Sequence, residues 1–157
     1  RMQARPLQVR HAGPADLPLL LDLYQHLTEG DDRPHLSAAA EILERLQAWE
    51  GSAIFVGYVG EALVASCTLV VIPNLTRGGR PYGLIENVVT RRDARRQGFG
   101  KRLLSHASEA AWEAGCYKLM LMTGSKVPET LNFYLAAGFE QSKTGFQKRR
   151  ISPRPEG

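Results

Sequence analysis

The chain has little cysteine, no long apolar run and no strong excess of charge of either sign, and each shortage excludes a class of protein. Its two cysteines, Cys67 and Cys116, lie in apolar segments without CxxC or histidine-rich spacing. We therefore expect free, buried thiols in a reducing compartment, and neither a disulfide framework nor a metal site. No apolar stretch approaches the roughly 18 residues of a membrane span, and the N-terminal residues are polar. We expect a cytoplasmic chain with no leader and no membrane partner.

Length and composition indicate one globular domain. The chain has 157 residues, of which 43% are hydrophobic. A single domain typically has about 150 residues, and a chain of this size can bury a core without disulfides or metals. We therefore assign residues 1–157 to a single domain.

Positive charge is modest overall but concentrated in two places. The chain has twenty Lys and Arg residues and sixteen Asp and Glu residues, for a net charge of +4. Either a solvated face or an anion-binding site would account for such clusters. The larger cluster comprises Arg91, Arg92, Arg95, Arg96, Lys101 and Arg102, and the smaller one comprises Lys148, Arg149 and Arg150.

The periodicity of apolar residues predicts a mixed α/β chain with one central sheet covered by helices. Ser37 is expected to cap the second helix, Gly60 and Glu61 to link two strands in a tight hairpin, and Gly115 to end the third helix. The predicted strands span residues 7–11, 53–59, 62–72, 84–90, 117–123, 139–141 and 146–151. The predicted helices span residues 14–27, 37–49, 100–114 and 128–137.

A glycine-containing turn, residues 95–100, leads directly into the third predicted helix. Exposed N–H groups at a helix start and the positive end of the helix dipole attract phosphate, and glycine lets a ligand approach the backbone closely. The turn lacks the Gly-Lys-Ser or Gly-Lys-Thr of a Walker loop, and it lacks the third glycine of a dinucleotide fingerprint because position 103 is Leu. A plain tight turn and an anion site both remain open, and the surrounding arginines favour the anion site.

The turn resembles a known signature. Arg95-x-x-Gly98-x-Gly100 is similar to the acetyl-CoA pyrophosphate motif of the GNAT superfamily of N-acetyltransferases. Phe133-Tyr134, followed by Gly138-Phe139, is similar to a second block of that family. The resemblance covers residues 84–140. Residues 85–89 and 115–118 look most like the glucosamine-6-phosphate N-acetyltransferase branch and its bacterial relatives.

The resemblance implies the GNAT fold, in which a mixed and mostly antiparallel sheet is splayed in the middle and flanked by about four helices. It also implies acetyl-CoA as a co-substrate, with its pyrophosphate held by the backbone amides of residues 96–101 and by nearby cations. The preceding strand would open at a bulge and offer unpaired backbone groups to the pantetheine arm. The implied cofactor-binding residues are Val88, Val89, Thr90, Arg95, Arg96, Gln97, Gly98, Phe99, Gly100 and Lys101.

Two side chains are candidates for catalysis. Tyr134 matches the tyrosine that lies near the thioester sulfur in many family members, and a phenol can protonate a departing thiolate. Its alternative role is that of an amphipathic core residue. Glu86 interrupts an apolar strand, where a carboxylate is costly unless it is paired or functional. It is either a general base for the amine or the partner of a neighbouring arginine, and Asn87 either orients substrate or caps the bulge.

The chain departs from the family pattern at two places. Many members have a cofactor-binding Asn before the last helix, whereas residues 124–128 contain none, so Ser125 or Lys126 would have to replace it. The amino-sugar branch has an Asp after the strand that corresponds to residues 117–121, whereas this chain has Met122 and Thr123. Amino-sugar acetylation is therefore not implied.

The resulting functional prediction is an acetyl-CoA-dependent N-acetyltransferase that acetylates a primary amine of a small molecule or peptide by direct attack in a ternary complex. A non-catalytic CoA-binding sensor of the same fold is the alternative. Nucleic-acid binding ranks last, because no recognisable nucleic-acid-binding motif is present. Exposed sheet edges and the basic final strand predict a homodimer. Residues 24–34, 73–82 and 143–146 are expected to line the acceptor site, but they match no specificity motif.

Overall fold

The computed structural model describes residues 6–153, which contain five strands and four α-helices. Two compact units divide this part of the chain, one ending at Thr123 and the other beginning at Gly124. The elements are β1 Gln8–His11, α1 Leu17–Tyr24, α2 Leu36–Gln47, β2 Ala53–Val59, β3 Ala62–Ile72, β4 Tyr82–Thr90, α3 Phe99–Glu113, β5 Leu119–Leu121 and α4 Pro128–Ala136. All of them except α4 belong to the first unit.

The sheet of the first unit has the strand order β1-β2-β3-β4-β5. The first four strands pair antiparallel, and β5 pairs parallel with β4. The predicted mixed and mostly antiparallel sheet is therefore confirmed. The predicted hairpin is confirmed as well: Gly60 and Glu61 join β2 to β3, and Gly60 has a φ of 59°, which glycine adopts without strain.

Each face of the sheet carries its own helices, because side chains alternate between the two faces along a strand. On one face α1 and α2 pack over an apolar cluster that includes Leu20, Leu43 and Val56. On the other face α3 packs against β2, β3 and β4. Leu103, Ala107 and Ala111 are fully buried there, as the predicted apolar stripe of this helix requires.

The two cysteines are free and buried, as predicted. Cys67 lies in the centre of β3, and burial raises the pKa of its thiol to about 12. Burial also raises the pKa of Cys116, which follows α3. Within residues 6–153 no helix combines the length and the apolar character needed to cross a bilayer.

Several predicted boundaries are wrong. The first helix is shorter at both ends: residues 14–16 form a 3-10 turn, and the chain after Tyr24 continues in turns. Helix α2 begins at Leu36 with His35 as its N-cap, so Ser37 lies in the first turn and does not cap it. The strand predicted for residues 117–123 is reduced to Leu119–Leu121.

The two strands predicted for residues 139–141 and 146–151 are absent. A strand needs a hydrogen-bonded neighbour and one face that is buried. Phe146 is 92% exposed and Ile151 is 80% exposed, and the residues between them are polar or cationic. Too little apolar surface is available there to stabilise a strand.

Asp16 is a buried carboxylate that ties β1, β2 and the start of α1 together. It accepts hydrogen bonds from both terminal nitrogens of Arg10 at 2.7 Å, from the backbone N–H of Gly13 at 2.7 Å and from the Tyr58 hydroxyl at 2.6 Å. These contacts, the Arg10 hydrogen bond above all, lower the pKa of Asp16 to about 2. Burial and the Asp16 carboxylate raise the pKa of Tyr58 to about 12.

The substitution Asp16→Asn is expected to lower the free energy of unfolding at pH 7 by about 2 kcal/mol. The reason is that the carboxyl pKa falls from 3.8 to about 2 on folding, and each unit is worth roughly 1.4 kcal/mol. Because the folded pKa is the lower one, this stabilisation is present above pH 3.8 and is lost as the pH falls towards 2. Urea unfolding between pH 7 and pH 3 measures it.

The control for this prediction is Asp93→Asn, since the ion pair of Asp93 with Arg91 is exposed and contributes little. We expect this control to leave stability unchanged. A difference between wild type and Asp16→Asn that stays constant down to pH 3 would contradict the assigned role of Asp16.

Candidate functional site

The turn before α3 contains two residues in the left-handed region. Arg96 has a φ of 64° and Gly98 has a φ of 79°. A Cβ atom placed on Gly98 would have no heavy atom within 4 Å, so the space over the turn is open. Glycine is therefore required here by the backbone conformation and not by internal packing.

Helix α3 begins at Phe99, whose side chain is buried and anchors the helix start. The first N–H groups of a helix have no partner inside the helix. No side chain of residues 6–153 caps this end, and its first turn contains no acidic residue. The N-terminus of α3 therefore presents free N–H donors and a positive dipole to the open space above Gly98.

Three cations of the larger basic cluster are already engaged. Arg91 donates from Nε to Asp93 at 2.6 Å, and a terminal nitrogen of Arg92 lies 3.6 Å from a carboxylate oxygen of Glu29. The guanidinium of Arg102 packs 5.5 Å from the centre of the Phe99 ring. These three cations are balanced within the first unit, either by a carboxylate or by an aromatic face.

The other three cations are Arg95, Arg96 and Lys101. All are exposed, and none forms an ion pair with a residue of the described segment 6–153. Arg95 donates from Nε to the carbonyl oxygen of Thr90 at 3.3 Å, which holds it beside the turn. Positive charge at a helix N-terminus opposes the helix dipole, so this arrangement favours an anionic ligand.

Strand β4 contains a bulge just before the turn. Thr68 of β3 pairs with Glu86, whereas Ser66, two residues earlier, pairs with Val89, three residues later. The additional residue is accommodated at Asn87, whose φ of 51° is a left-handed conformation that asparagine tolerates better than most residues. The bulge implied for this strand is thus present, and Asn87 is part of it.

The edge of β4 that pairs with β5 is open beyond Ile85. Strand β5 pairs only with residues 83–85, so within the described chain Glu86–Thr90 have no partner strand on that side. This is the splayed middle of the sheet. Apart from the Thr90 carbonyl oxygen, which accepts from Arg95, these backbone groups run without a partner strand towards the turn that precedes α3, where Arg95, Arg96 and Lys101 lie.

Glu86 does not lie in the apolar surroundings that its sequence neighbours suggested. Its side chain is exposed, and no residue in the described range forms an ion pair with it, so the alternative role as the partner of a neighbouring arginine finds no such arginine there. The bulge follows directly after this residue in the strand. Glu86 pairs with Thr68, and directly opposed residues lie on the same face, here the face covered by α1.

A cluster of three hydroxyl groups lies on this face and was not identified from the sequence. The Tyr24 hydroxyl at the end of α1 lies close to those of Ser66 and Thr68. Ser66 Oγ donates to the carbonyl oxygen of Phe55 at 2.7 Å. Burial raises the pKa of Tyr24, so its phenol is a stable donor at neutral pH. Ser66 and Thr68 are the β3 partners of the residues that flank the bulge.

In the second unit, Tyr134 lies in α4 and is half-buried. Its ring packs edge-on against Phe133, with centroids 5.0 Å apart, and against Phe139 at 6.4 Å. Gly138, whose φ is 95°, follows the C-cap of the helix, and the Phe139 N–H donates to the Tyr134 carbonyl oxygen at 3.1 Å. The Phe-Tyr and Gly-Phe pairs of the sequence motif therefore form one aromatic cluster.

The two residues suggested as replacements for the missing Asn differ in their contacts. Ser125 Oγ accepts from the Val127 N–H at 3.3 Å and lies 3.2 Å from the Thr130 hydroxyl, so it supports the start of α4. Lys126 is exposed. Of the two, only the side chain of Ser125 is shown here to form hydrogen bonds at the start of α4.

Comparison with known proteins identifies the family of the chain. The model of the Acetyltransferase (GNAT) family matches residues 20–139, which is well over half of the sequence. The chain belongs to the GNAT acetyltransferase family. Its fold class and its assignment as an acetyltransferase are thereby confirmed, and acetyl-CoA is the co-substrate that this family uses.

Individual relatives agree with the assignment of this GNAT chain. A glucosamine 6-phosphate N-acetyltransferase of Trypanosoma brucei brucei is 34% identical over 133 residues, which are 85% of this chain and 88% of that protein. A solved structure from Agrobacterium tumefaciens str. C58, provisionally named an acetyltransferase, is 45% identical with a TM-score of 0.85, over 91% of this chain and 99% of that chain. The resemblance to the amino-sugar branch is therefore confirmed at the level of sequence.

A more distant solved structure is similar to this GNAT chain in its fold only. AAC(6')-Iy in complex with the bisubstrate analogue CoA-S-monomethyl-acetylneamine is 16% identical, with a TM-score of 0.77, over 94% of this chain and 99% of that chain.

Proposed function

We propose that this GNAT chain transfers an acetyl group from acetyl-CoA to a primary amine by direct attack in a ternary complex. The observation that carries the proposal is the uncapped N-terminus of α3, with Arg95, Arg96 and Lys101 unpaired around it and a half-open strand leading to it. These features match what a coenzyme with a pyrophosphate and a peptide-like arm requires. We further propose that both units belong to one catalytic domain. The homodimer and the cytoplasmic location stay predictions.

The cofactor would be bound mainly by the backbone. The amides of residues 96–101 would donate to the pyrophosphate oxygens, and the three unpaired cations would balance its charge. The open edge of Val88–Thr90 would pair with the amides of the pantetheine arm. This arrangement would place the thioester near the bulge of β4.

The reaction needs proton transfers at two positions. The neutral amine attacks the thioester carbonyl carbon, and a backbone N–H near Val88 would stabilise the oxyanion that forms. The C–S bond then breaks, and Tyr134 would give its phenolic proton to the departing thiolate sulfur. Glu86 would accept, directly or through water, the proton that the amine nitrogen loses. Holding both substrates together supplies a large part of the rate.

The exposure of Glu86 suits this role, because an unpaired carboxylate at the open side of the bulge can meet an incoming ammonium group. We expect Glu86→Gln to lower kcat/KM for the amine by about 100-fold, the typical size of a lost general base. The Kd for acetyl-CoA should not change, since the side chain is not part of the phosphate turn. Steady-state kinetics from pH 6 to pH 9 measure the effect.

Glu61→Gln provides the control for this prediction, since Glu61 is an exposed carboxylate in the β2–β3 turn. We expect no kinetic effect from it. Wild-type kcat/KM in Glu86→Gln across the pH range would remove Glu86 from the mechanism.

Thiol release tests the proposed function as a whole. The full chain is incubated with acetyl-CoA and a panel of amines, amino acids, polyamines, aminoglycosides and peptides, and free CoA thiol is measured. Amine-dependent release is expected. If the chain is stabilised against heat by CoA but releases no thiol with any amine, it is a CoA sensor instead.

A further inference from the structure

The loop between β3 and β4, together with the segment that leads into β5, carries three cations and two tyrosines. We call them the cation-tyrosine cluster, which consists of Arg77, Arg80, Tyr82, Tyr117 and Lys118. The guanidinium carbon of Arg77 lies 5.3 Å from the centre of the Tyr117 ring. Lys118 Nζ lies 5.4 Å from the same ring centre and 5.3 Å from that of Tyr82. Arg77 and Lys118 are therefore held on one pair of aromatic rings.

Asn74 and Tyr117 fix the backbone that carries the cluster. Asn74 Nδ2 donates to the carbonyl oxygens of Thr76 at 3.2 Å and Arg80 at 3.1 Å, which closes the loop on itself. The Tyr117 N–H donates to the Pro81 carbonyl oxygen at 3.0 Å, so the segment before β5 is tied to the start of β4. The side chains of the cluster therefore project from a backbone of defined conformation.

No carboxylate balances the cations of the cluster. Residues 73–85 and 114–122 contain neither Asp nor Glu. Within the described segment 6–153, no ion pair involves Arg77, Arg80 or Lys118. A contact with an aromatic face stabilises a cation but does not cancel its charge. The cluster therefore attracts an anionic partner.

The tip of the loop is open to solvent and strained. Arg77 has a φ of 56°, a left-handed conformation that is unfavourable for a residue with a Cβ atom. Gly78 and Gly79 follow with φ of 71° and 82°, and a Cβ atom on either would have no heavy atom within 4 Å. Leu75, two residues before Arg77, is 99% exposed. Backbone strain of this kind is typical of binding segments, and here an apolar side chain lies next to the cations.

The cluster lies at the end of β4 that is remote from the phosphate turn. Strand β4 begins at Tyr82 and ends at Thr90, and the turn follows Thr90. At 3.3 Å per residue this strand is roughly 25 Å long. The coenzyme proposed to bind at the turn would end near the bulge at Asn87, so it does not reach the cluster. The cluster is therefore separate from the proposed cofactor site.

We propose that the cation-tyrosine cluster, with Leu75, is a docking surface for an acidic segment of a partner protein. Carboxylates of that segment pair with the two arginines and the lysine, and the arginines can bind a carboxylate through two nitrogens. Leu75 contributes an apolar contact beside these pairs. Nucleic acid fits less well, because the tyrosine faces are already covered by Arg77 and Lys118 and are not free to stack on bases. This surface is independent of the acetyl transfer proposed above.

Selection from a displayed library of random peptides of about twelve residues tests the proposal. The full chain is the bait. Counter-selection uses the loop variant, which is the full chain with Arg77→Glu and Arg80→Glu. Both side chains are exposed, so we expect the loop variant to keep its fold, and thermal unfolding checks this. The enriched peptides should be rich in Asp and Glu and should contain an apolar residue.

The matched control variant is Lys148→Glu with Arg149→Glu, which reverses two exposed charges in the smaller basic cluster. The most enriched acidic peptide is synthesised and titrated by calorimetry into the wild-type chain and both variants. Its Kd should rise at least about ten-fold in the loop variant, because two attractive charges become repulsive, and should stay the same in the control variant. Leu75→Ser should raise the Kd at least about three-fold. The Kd for acetyl-CoA should be the same in all of them.

Three results would overturn the proposal. One is that no peptide is enriched, or that the enriched peptides have no excess of Asp and Glu. Another is an equal loss of affinity in the loop variant and the control variant, since any basic surface would then suffice. The third is a DNA duplex that binds the wild-type chain more tightly than the peptide and loses its affinity in the loop variant, which would make the surface a nucleic-acid site. None of these results bears on the acetyltransferase, which is tested separately by thiol release.

Discussion

Gly98→Val is expected to raise the Kd for acetyl-CoA at least about 100-fold, a loss of roughly 2.7 kcal/mol of binding free energy. At a φ of 79° a residue with a branched Cβ is strained, so the turn would shift away from its present conformation. The new side chain would also occupy the open space above the N–H groups of α3, where the pyrophosphate is proposed to bind. Calorimetric titration with acetyl-CoA measures the change.

Gly115→Val is a matched control, because Gly115 follows the other end of the same helix. Its φ is 87°, and a Cβ there would also have no heavy atom within 4 Å. The two variants should therefore lose similar amounts of stability, but only Gly98→Val should lose the coenzyme. Normal acetyl-CoA affinity in folded Gly98→Val would contradict the phosphate turn, and with it the whole assignment of the cofactor site.

Tyr134→Phe is expected to lower kcat by about 100-fold while the Kd for acetyl-CoA stays the same. Removing a general acid typically costs two to four orders of magnitude in rate, because the thiolate then leaves without a proton donor. The aromatic ring is retained, so its packing against Phe133 and Phe139 is preserved. Steady-state kinetics and coenzyme titration together separate the loss of chemistry from a loss of binding.

Tyr117→Phe serves as the comparison for this variant. Tyr117 is also half-buried, and its ring contacts the cationic groups of Arg77 and Lys118, contacts that phenylalanine keeps. We expect it to retain wild-type turnover. Should Tyr134→Phe turn over at the wild-type rate as well, the tyrosine has a packing role in the aromatic cluster and another group protonates the sulfur.

Local signals in the sequence were sufficient to predict the elements whose structure is determined by residues close together in the chain. The helical stripe of Leu103, Ala107 and Ala111, with glycine after the last turn, predicts α3 nearly to the residue. The Gly60-Glu61 link predicts the hairpin in the same way. The phosphate turn is equally local, since its donors and two of its three unpaired cations lie within the motif itself.

The remaining features depend on residues that are distant in the sequence. Glu86 is exposed and lies beside a bulge, and the bulge is visible only in the pairing of β4 with β3. Tyr24 belongs to the apolar stripe of α1, and nothing near it in the sequence indicates that its hydroxyl meets Ser66 and Thr68 some forty residues later. The predicted C-terminal strands failed for the same reason, because β-propensity does not supply a partner strand.

The buried thiols simplify the kinetic work. A thiol reagent reacts with the thiolate form, and Cys67 has its pKa raised to about 12 in the interior of the sheet, while burial also raises the pKa of Cys116. Neither side chain will compete for a colorimetric disulfide reagent in the native protein. The natural sequence can therefore be assayed by CoA release with a low and steady background, and no cysteine needs to be replaced first.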